Sequence, residues 1–169
     1  MKITVVTRQP DGAAFDIVLI FHVACVVVGL ATTITSAATA SRLRTLVDRS
    51  SPLPESMARY FKQGVNWAGR IMYGIPIFGF ALLAMSKGAY SLHDSWVTLG
   101  LGLFVVVVLL AEGVLWPAER RVQSLLVTPI SEGIPADPAV LGDLKVMNLA
   151  AVGCVVLLLL GSGIMLAQP

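Results

Sequence analysis

Apolar residues along the chain fall into four long runs, separated by stretches rich in polar residues, glycine and proline. The runs cover residues 17–38, 67–85, 97–116 and 146–167. Each has about the 20 residues that a helix needs to cross a bilayer. The third run is rich in valine, which favours strands in water, but a segment inside a bilayer must satisfy its own backbone hydrogen bonds. The pattern therefore predicts four transmembrane helices.

The first run also has the features that open a secretory signal peptide, because it follows Lys2 and Arg8 and ends in small residues. A signal peptide has an apolar core of only about 7–15 residues. The run at 17–38 is longer, so we expect an uncleaved span.

Composition supports the membrane assignment. The chain has 169 residues, of which 56% are hydrophobic and 13% are charged. Soluble domains carry about 25% charged residues, so too few polar side chains remain here to cover a water-soluble globule. Disorder is excluded as well, since it needs low hydrophobicity and high charge. We predict a single all-α domain over residues 1–169, a transmembrane four-helix bundle whose surroundings are the lipid bilayer and not nucleic acid.

The basic residues predict the orientation of this bundle. Nine of the twelve lie in or beside the two long loops: Arg42, Arg44, Arg49, Arg59, Lys62, Arg70, Arg120, Arg121 and Lys145. Because loops rich in Lys and Arg stay cytoplasmic, both long loops are predicted to be cytoplasmic and both termini to face outward. We expect a multi-pass protein of a bacterial plasma membrane. Trp67 and Trp116 would then mark the inner interface, and Trp96 the outer one.

Prolines predict where helices break. Pro76 lies inside the second run and should kink that helix or free the carbonyl of Met72. In the first loop, Pro52 and Pro54 end an extension of the first helix, and residues 55–64 are predicted to form a short surface helix. The second loop starts as a helix, and its three prolines predict a loss of order across residues 128–138.

Three polar residues are predicted to share one depth near the inner ends of three helices. They are Arg70 in the second span, Glu112 in the third and Asn148 in the fourth. Ionisable residues inside a membrane are expensive and are candidates for function by default. The Arg70–Glu112 pair admits three interpretations: an ion pair that locks the helices, a proton relay or substrate site, or no contact at all.

His22 is the ionisable residue in the outer third of the first span. It could donate a hydrogen bond across the bundle, act as a haem or copper ligand, or transfer protons. The other histidine, His93, lies in the outer connector and could approach His22 from above as a second haem ligand. Cys25 and Cys154 lack the spacing of a metal site and are expected to be inert buried thiols. No metal site and no catalytic set is predicted, which favours a protein that is not an enzyme.

Several motifs resemble a family of small bacterial integral membrane proteins, "domain of unknown function 2269". They are residues 66–70 (NWAGR), 86–88 (SKG), 94–96 (DSW) and 111–121 (AEGVLWPAERR). The resemblance covers nearly the whole chain and implies a four-helix architecture with an important Arg70–Glu112 layer.

A fainter similarity runs through the first span. Phe21-His22-Val23, followed by Gly29, resembles two other four-helix membrane groups, the copper-resistance D family and the membrane protoporphyrinogen oxidases. In the latter, a histidine of the first helix is thought to hold haem together with a lysine of a later helix. The resemblance implies that His22 is a haem ligand, although the third span here contains no lysine.

Three functions follow as hypotheses. The first is an accessory or structural subunit that associates through its small-residue-rich helices with a second copy or a larger membrane complex. The second is a haem-binding or redox protein that uses His22. The third is transport of a small solute or protons through the Arg70/Glu112 layer.

Overall fold

The computed structural model describes residues 12–62 and 64–167, and this part of the chain is helical without a β-strand. Its α-helices are α1 (Ala13–Asp48), α2 (Glu55–Tyr60), α3 (Trp67–Arg70), α4 (Gly74–Met85), α5 (Ser95–Leu110), α6 (Trp116–Glu132) and α7 (Val140–Leu166). A 3₁₀ turn, Ile71–Tyr73, joins α3 to α4, and a π-helical turn, Ala111–Leu115, joins α5 to α6.

Within the described residues, four helical stretches are long and apolar enough to cross a membrane. They are Ala13–Asp48, Trp67–Met85, Ser95–Glu132 and Val140–Leu166. The predicted all-α four-helix architecture is confirmed, and the chain is a multi-pass membrane protein. Lys2 and Arg8, which contributed to the charge pattern, lie outside the described residues.

The four spans pack in the order α4, α1, α7, α5. The most extensive contacts are those of α7 with α1 and α5, followed by those of α1 with α4, whereas α4 and α5 make no comparable contact. We call the end of the bundle that carries α2 and α6 the loop end. The end that carries residues 86–94 is the connector end.

Three of the helices continue beyond the apolar runs from which they were predicted. α1 extends from residue 38 to Asp48, the third span continues as α6 to Glu132, and α7 begins at Val140. These extensions pack on one another around Leu43, Phe61, Leu126 and Leu144, all of which are buried. The loop end therefore has a hydrophobic core of its own, which is why its helices do not stop at the membrane boundary.

The predicted loss of order across residues 128–138 is wrong for the first part of that segment. α6 continues through Pro129 to Glu132 and ends at Gly133, whose left-handed φ of +64° closes the helix. Val122, Leu126 and Pro129 follow helical spacing and are buried. Burial of this face outweighs the hydrogen bond that Pro129 removes.

Prolines accompany the two turns that are not α-helical. The 3₁₀ turn Ile71–Tyr73 lies just before Pro76, where the sequence predicted a kink. The π-helical turn Ala111–Leu115 lies just before Pro117. Pro117 lacks the N–H that would bond the Gly113 carbonyl, and its ring presses on that carbonyl. A wider turn relieves this conflict, and such turns often occur at functional positions.

Candidate functional site

The second and third spans meet at the loop end through an ion pair. Nη1 of Arg70 lies 2.6 Å from Oε1 of Glu112, and the Tyr73 hydroxyl donates a hydrogen bond to the same oxygen. The Arg70 guanidinium carbon lies 3.4 Å from the centre of the Trp116 ring, which is a cation–π contact. The structure thus brings together Arg70 and Glu112, with Tyr73 and Trp116 beside them. We call these four residues the ion-pair layer.

Asn148 does not join the ion-pair layer. Its Nδ2 donates to the carbonyl of Ala37 at 2.8 Å and to Oγ of Ser41 at 2.7 Å. It therefore ties α7 to α1. Asn148 was predicted at the same depth as Arg70 and Glu112, but it does not contact them. The depth of a residue does not determine which face of the helix its side chain occupies.

A buried carboxyl group, Glu119, lies one turn beyond the ion-pair layer. Its residue is only 4% exposed, and its Oε1 has no hydrogen-bond partner among the described residues. Its polar neighbours are Tyr60 and Asn66, and the nearby cations are Arg70 and Arg120. Sequence reasoning missed Glu119 by treating it as part of a loop. Helical spacing could have predicted its burial, because Glu119 lies on the same helical face as Trp116 and Val122.

Tyr60 links this carboxyl group to α1. Its hydroxyl lies 2.8 Å from Oγ of Ser36. Burial raises the pKa of Tyr60 above its ordinary value, and the negative charge of Glu119 raises it further. A short helix that the sequence placed on the surface therefore contributes a half-buried polar side chain to the loop end.

A cavity of about 460 Å³ lies between the spans at the connector end. Its walls come from all four spans and the connector and are mostly apolar; they include Leu19, Leu83, Trp96, Phe104 and Met165. The main polar groups on the walls are His22 and Tyr90.

His22 is held in a fixed orientation on the wall of this cavity. Its Nδ1 lies 2.9 Å from the carbonyl oxygen of Ile75, the residue before Pro76. A carbonyl can only accept, so Nδ1 carries the proton, and in the neutral ring Nε2 keeps a lone pair. The imidazole lies beside Gly79, where an added Cβ would be at an ordinary contact distance of 3.4 Å from Cε1 of His22.

His93 does not join His22. It is exposed in the connector, where its backbone N–H donates to Oγ of Ser91, and it is not among the residues that line the cavity. Cys25 and Cys154 are free and buried, in α1 and α7 respectively. The described residues contain no group of three or more His, Cys, Asp or Glu side chains that could hold a metal ion.

Comparison with known proteins finds no matching family model. No curated protein and no solved structure is similar to the chain either. The resemblances noted in the sequence therefore stay predictions.

Proposed function

We propose that this protein binds an amphiphilic small molecule in the connector-end cavity, with His22 as the polar anchor. The observation that carries this proposal is the lone imidazole on a mostly apolar wall, with Nδ1 already satisfied by the Ile75 carbonyl. Ligand pockets are typically apolar with a few fixed polar groups that orient the ligand. A cavity of about 460 Å³ is within the usual size range of about 300–1,000 Å³.

The state of His22 restricts the chemistry of the ligand. With the proton on Nδ1, the Nε2 lone pair accepts a hydrogen bond or binds a metal ion. A ligand that offers only carbonyl or ether oxygens would leave Nε2 unpaired. The best-fitting class is an apolar molecule with a hydroxyl donor, such as a quinol or a long-chain alcohol.

Haem is a second candidate because of a specific feature of His22. Histidines that bind metals usually donate their other ring N–H to a carbonyl or carboxylate, as His22 does to Ile75. His22 and Met165 on the cavity wall are both axial-ligand types, and a bound haem would supply electron-transfer chemistry there. No Lys or Arg lies among the cavity residues that the structure describes, so the walls fit the iron better than the carboxylates of haem. Haem therefore ranks second.

Absorption spectroscopy and native mass spectrometry of the detergent-purified protein test both candidates. The matched variants are His22→Ala, which removes the lone pair, and His22→Gln, which keeps a hydrogen-bond acceptor but is a poor haem ligand. His93→Ala, in the exposed connector, is the control. The probes are haem and a quinol with a short alkyl tail.

The two ligand classes give different patterns. A hydroxyl ligand should bind the wild type and His22→Gln but not His22→Ala. Haem should give a Soret band that disappears in both His22 variants. His93→Ala should match the wild type in either case. A protein that binds neither probe, or binds them equally well after His22→Ala, would contradict the proposal.

We further propose that the protein lies in a bacterial plasma membrane with the loop end in the cytoplasm and both termini outside. The placement of nine of the twelve basic residues at the loop end supports this orientation. Association with a second copy or a larger complex, as an accessory subunit, is supported by exposed small residues outside the α1/α7 contact, such as Ala31 and Thr35 of α1. Purified protein that stays strictly monomeric without a co-purifying partner would count against association.

A further inference from the structure

A groove runs between α1 and α7 on the outer surface of the bundle, away from both the cavity and the ion-pair layer. Its volume is about 390 Å³. The part toward the connector end is apolar and is lined by Ile34, Val152 and Val155, and the part toward the loop end is polar and is lined by Ser41 and Asn148. The groove is therefore amphiphilic along its length.

The groove stays open because its lining side chains on α1 are small and the Asn148 carboxamide is hydrogen-bonded to α1. Ala37 and Ala38 present little bulk, so α1 and α7 leave a depression between them. Both hydrogens of the Asn148 amide are used within the protein, on the Ala37 carbonyl and on Ser41. The Ser41 hydroxyl accepts from this amide and keeps its own hydrogen to donate, which suits a ligand that carries ester carbonyls.

Basic side chains follow the polar part of the groove toward the loop end. Arg44 lies one turn beyond Ser41 on α1, and Lys145 lies one turn before Asn148 on α7; both are exposed. The neighbouring charges are Arg42, Asp48 and Arg49 on α1 and Asp143 on α7. Asp143 is held by Arg121, whose Nε lies 2.7 Å from Oδ1. The end of the groove is therefore net positive.

The length of this gradient fits within one leaflet of a bilayer. Lys145 and Val155 are ten residues apart on α7, which is about 15 Å along a helix. One leaflet with its headgroup region is about 20 Å thick. An apolar wall, a polar belt and a basic end thus follow one another in the order of acyl chain, glycerol and headgroup.

We propose that the α1/α7 groove binds an anionic phospholipid. The acyl chain lies against Val152 and Val155, an ester carbonyl of the glycerol region accepts from the Ser41 hydroxyl, and Arg44 and Lys145 hold the phosphate. Basic pockets between transmembrane helices are known to recognise anionic headgroups. A second copy of the chain fits less well, since two copies meeting at this groove would bring two basic ends together.

Native mass spectrometry of the full-length protein in detergent tests the proposal. The probes are phosphatidylglycerol and phosphatidylcholine with identical acyl chains. The test variant is Arg44→Gln/Lys145→Gln. The matched control is Lys62→Gln/Arg120→Gln, which removes the same charges from exposed loop-end positions outside the groove. Ala38→Trp fills the groove without changing charge.

The wild type should retain phosphatidylglycerol about tenfold more strongly than phosphatidylcholine, as two basic contacts near a membrane surface allow. The Arg44/Lys145 variant should lose this preference, the Lys62/Arg120 variant should keep it, and Ala38→Trp should lose both lipids. Equal retention of the two lipids by the wild type, an equal loss in the control variant, or a dimer that excludes lipid would overturn the proposal. His22→Ala should leave lipid retention unchanged, so this result is separate from the cavity proposal.

Discussion

Arg70 and Glu112 join the second and third spans through a 2.6 Å contact between Nη1 and Oε1, at the level where both spans depart from α-helical geometry. Tyr73 donates to the same carboxylate, and the Trp116 ring covers one face of the guanidinium. The cavity lies at the other end of the bundle. The ion-pair layer therefore holds the second span against the third at the loop end.

Loss of the negative charge at Glu112 should weaken the contact between the second and third spans by a modest amount. The Glu112 side chain is 43% exposed and that of Arg70 is 19% exposed, and such partly exposed pairs contribute about 0.5–1 kcal/mol. We expect Glu112→Gln to lower the free energy of unfolding in detergent by about this much. A double-mutant cycle with Arg70→Gln measures the coupling, and strictly additive effects would show that the pair adds no stability.

The transport hypothesis makes a separate prediction for the same variant. If protons or a small solute cross through the ion-pair layer, Glu112→Gln should abolish a flux that wild-type protein supports in proteoliposomes. Stability must be checked in parallel, since the variant also loosens the bundle. Flux that is unchanged by Glu112→Gln would remove the transport hypothesis.

Close packing of α1 on α4 should make Gly74 intolerant of a side chain. A Cβ at Gly74 would collide with Sγ of Cys25, and such overpacking costs about 1–3 kcal/mol. We expect Gly74→Ala to lower the thermal midpoint in detergent, although alanine is the better helix former. Adding Cys25→Ala should restore most of the loss. Gly102→Ala is the control. No atom of the described residues lies within 4 Å of a Cβ at Gly102, so this substitution should be neutral or stabilising.

Alkaline pH should unfold the protein partly through Tyr60. Its pKa is raised in the folded state, chiefly by burial and then by Glu119. An unfolded tyrosine loses its proton near pH 10, at about its ordinary pKa, while the folded one keeps it. The stability contributed by protonated Tyr60 is therefore complete below about pH 10 and is lost as the pH rises above it.

Tyr60→Phe isolates this effect because phenylalanine keeps the ring and does not titrate. Unfolding curves between about pH 9 and pH 12 should show a smaller decline for Tyr60→Phe than for the wild type. Equal declines would mean that Tyr60 has the same pKa in the folded and unfolded states, which would contradict the prediction.

The predicted orientation can be tested by thiol labelling of intact cells. Cys25 and Cys154 are buried, so the background should be low. An impermeant maleimide should label Ser91→Cys in the exposed connector and should label Lys62→Cys only after the membrane is opened. The reverse pattern would overturn the orientation, and labelling of both sites would indicate mixed topology.

The sequence by itself determined the number of spans and their approximate positions, because a bilayer demands long apolar segments with internally satisfied backbones. It also indicated Arg70, Glu112 and His22 as candidate functional residues, since ionisable residues inside apolar runs stand out. It did not show that α6 continues through Pro129. That depends on burial of Val122 and Leu126 in a core to which α7 contributes, so it depends on contacts between residues far apart in the chain.

Only the tertiary structure decided which polar groups meet. Periodicity gives the depth of a residue in the membrane, but the rotation and pairing of the helices decide its neighbours. Asn148 therefore bonds to α1 instead of to Arg70, and Glu119 becomes buried beside Tyr60. The cavity beside His22 also arises from tertiary packing, because its walls come from four spans and the connector, which lie far apart in the chain.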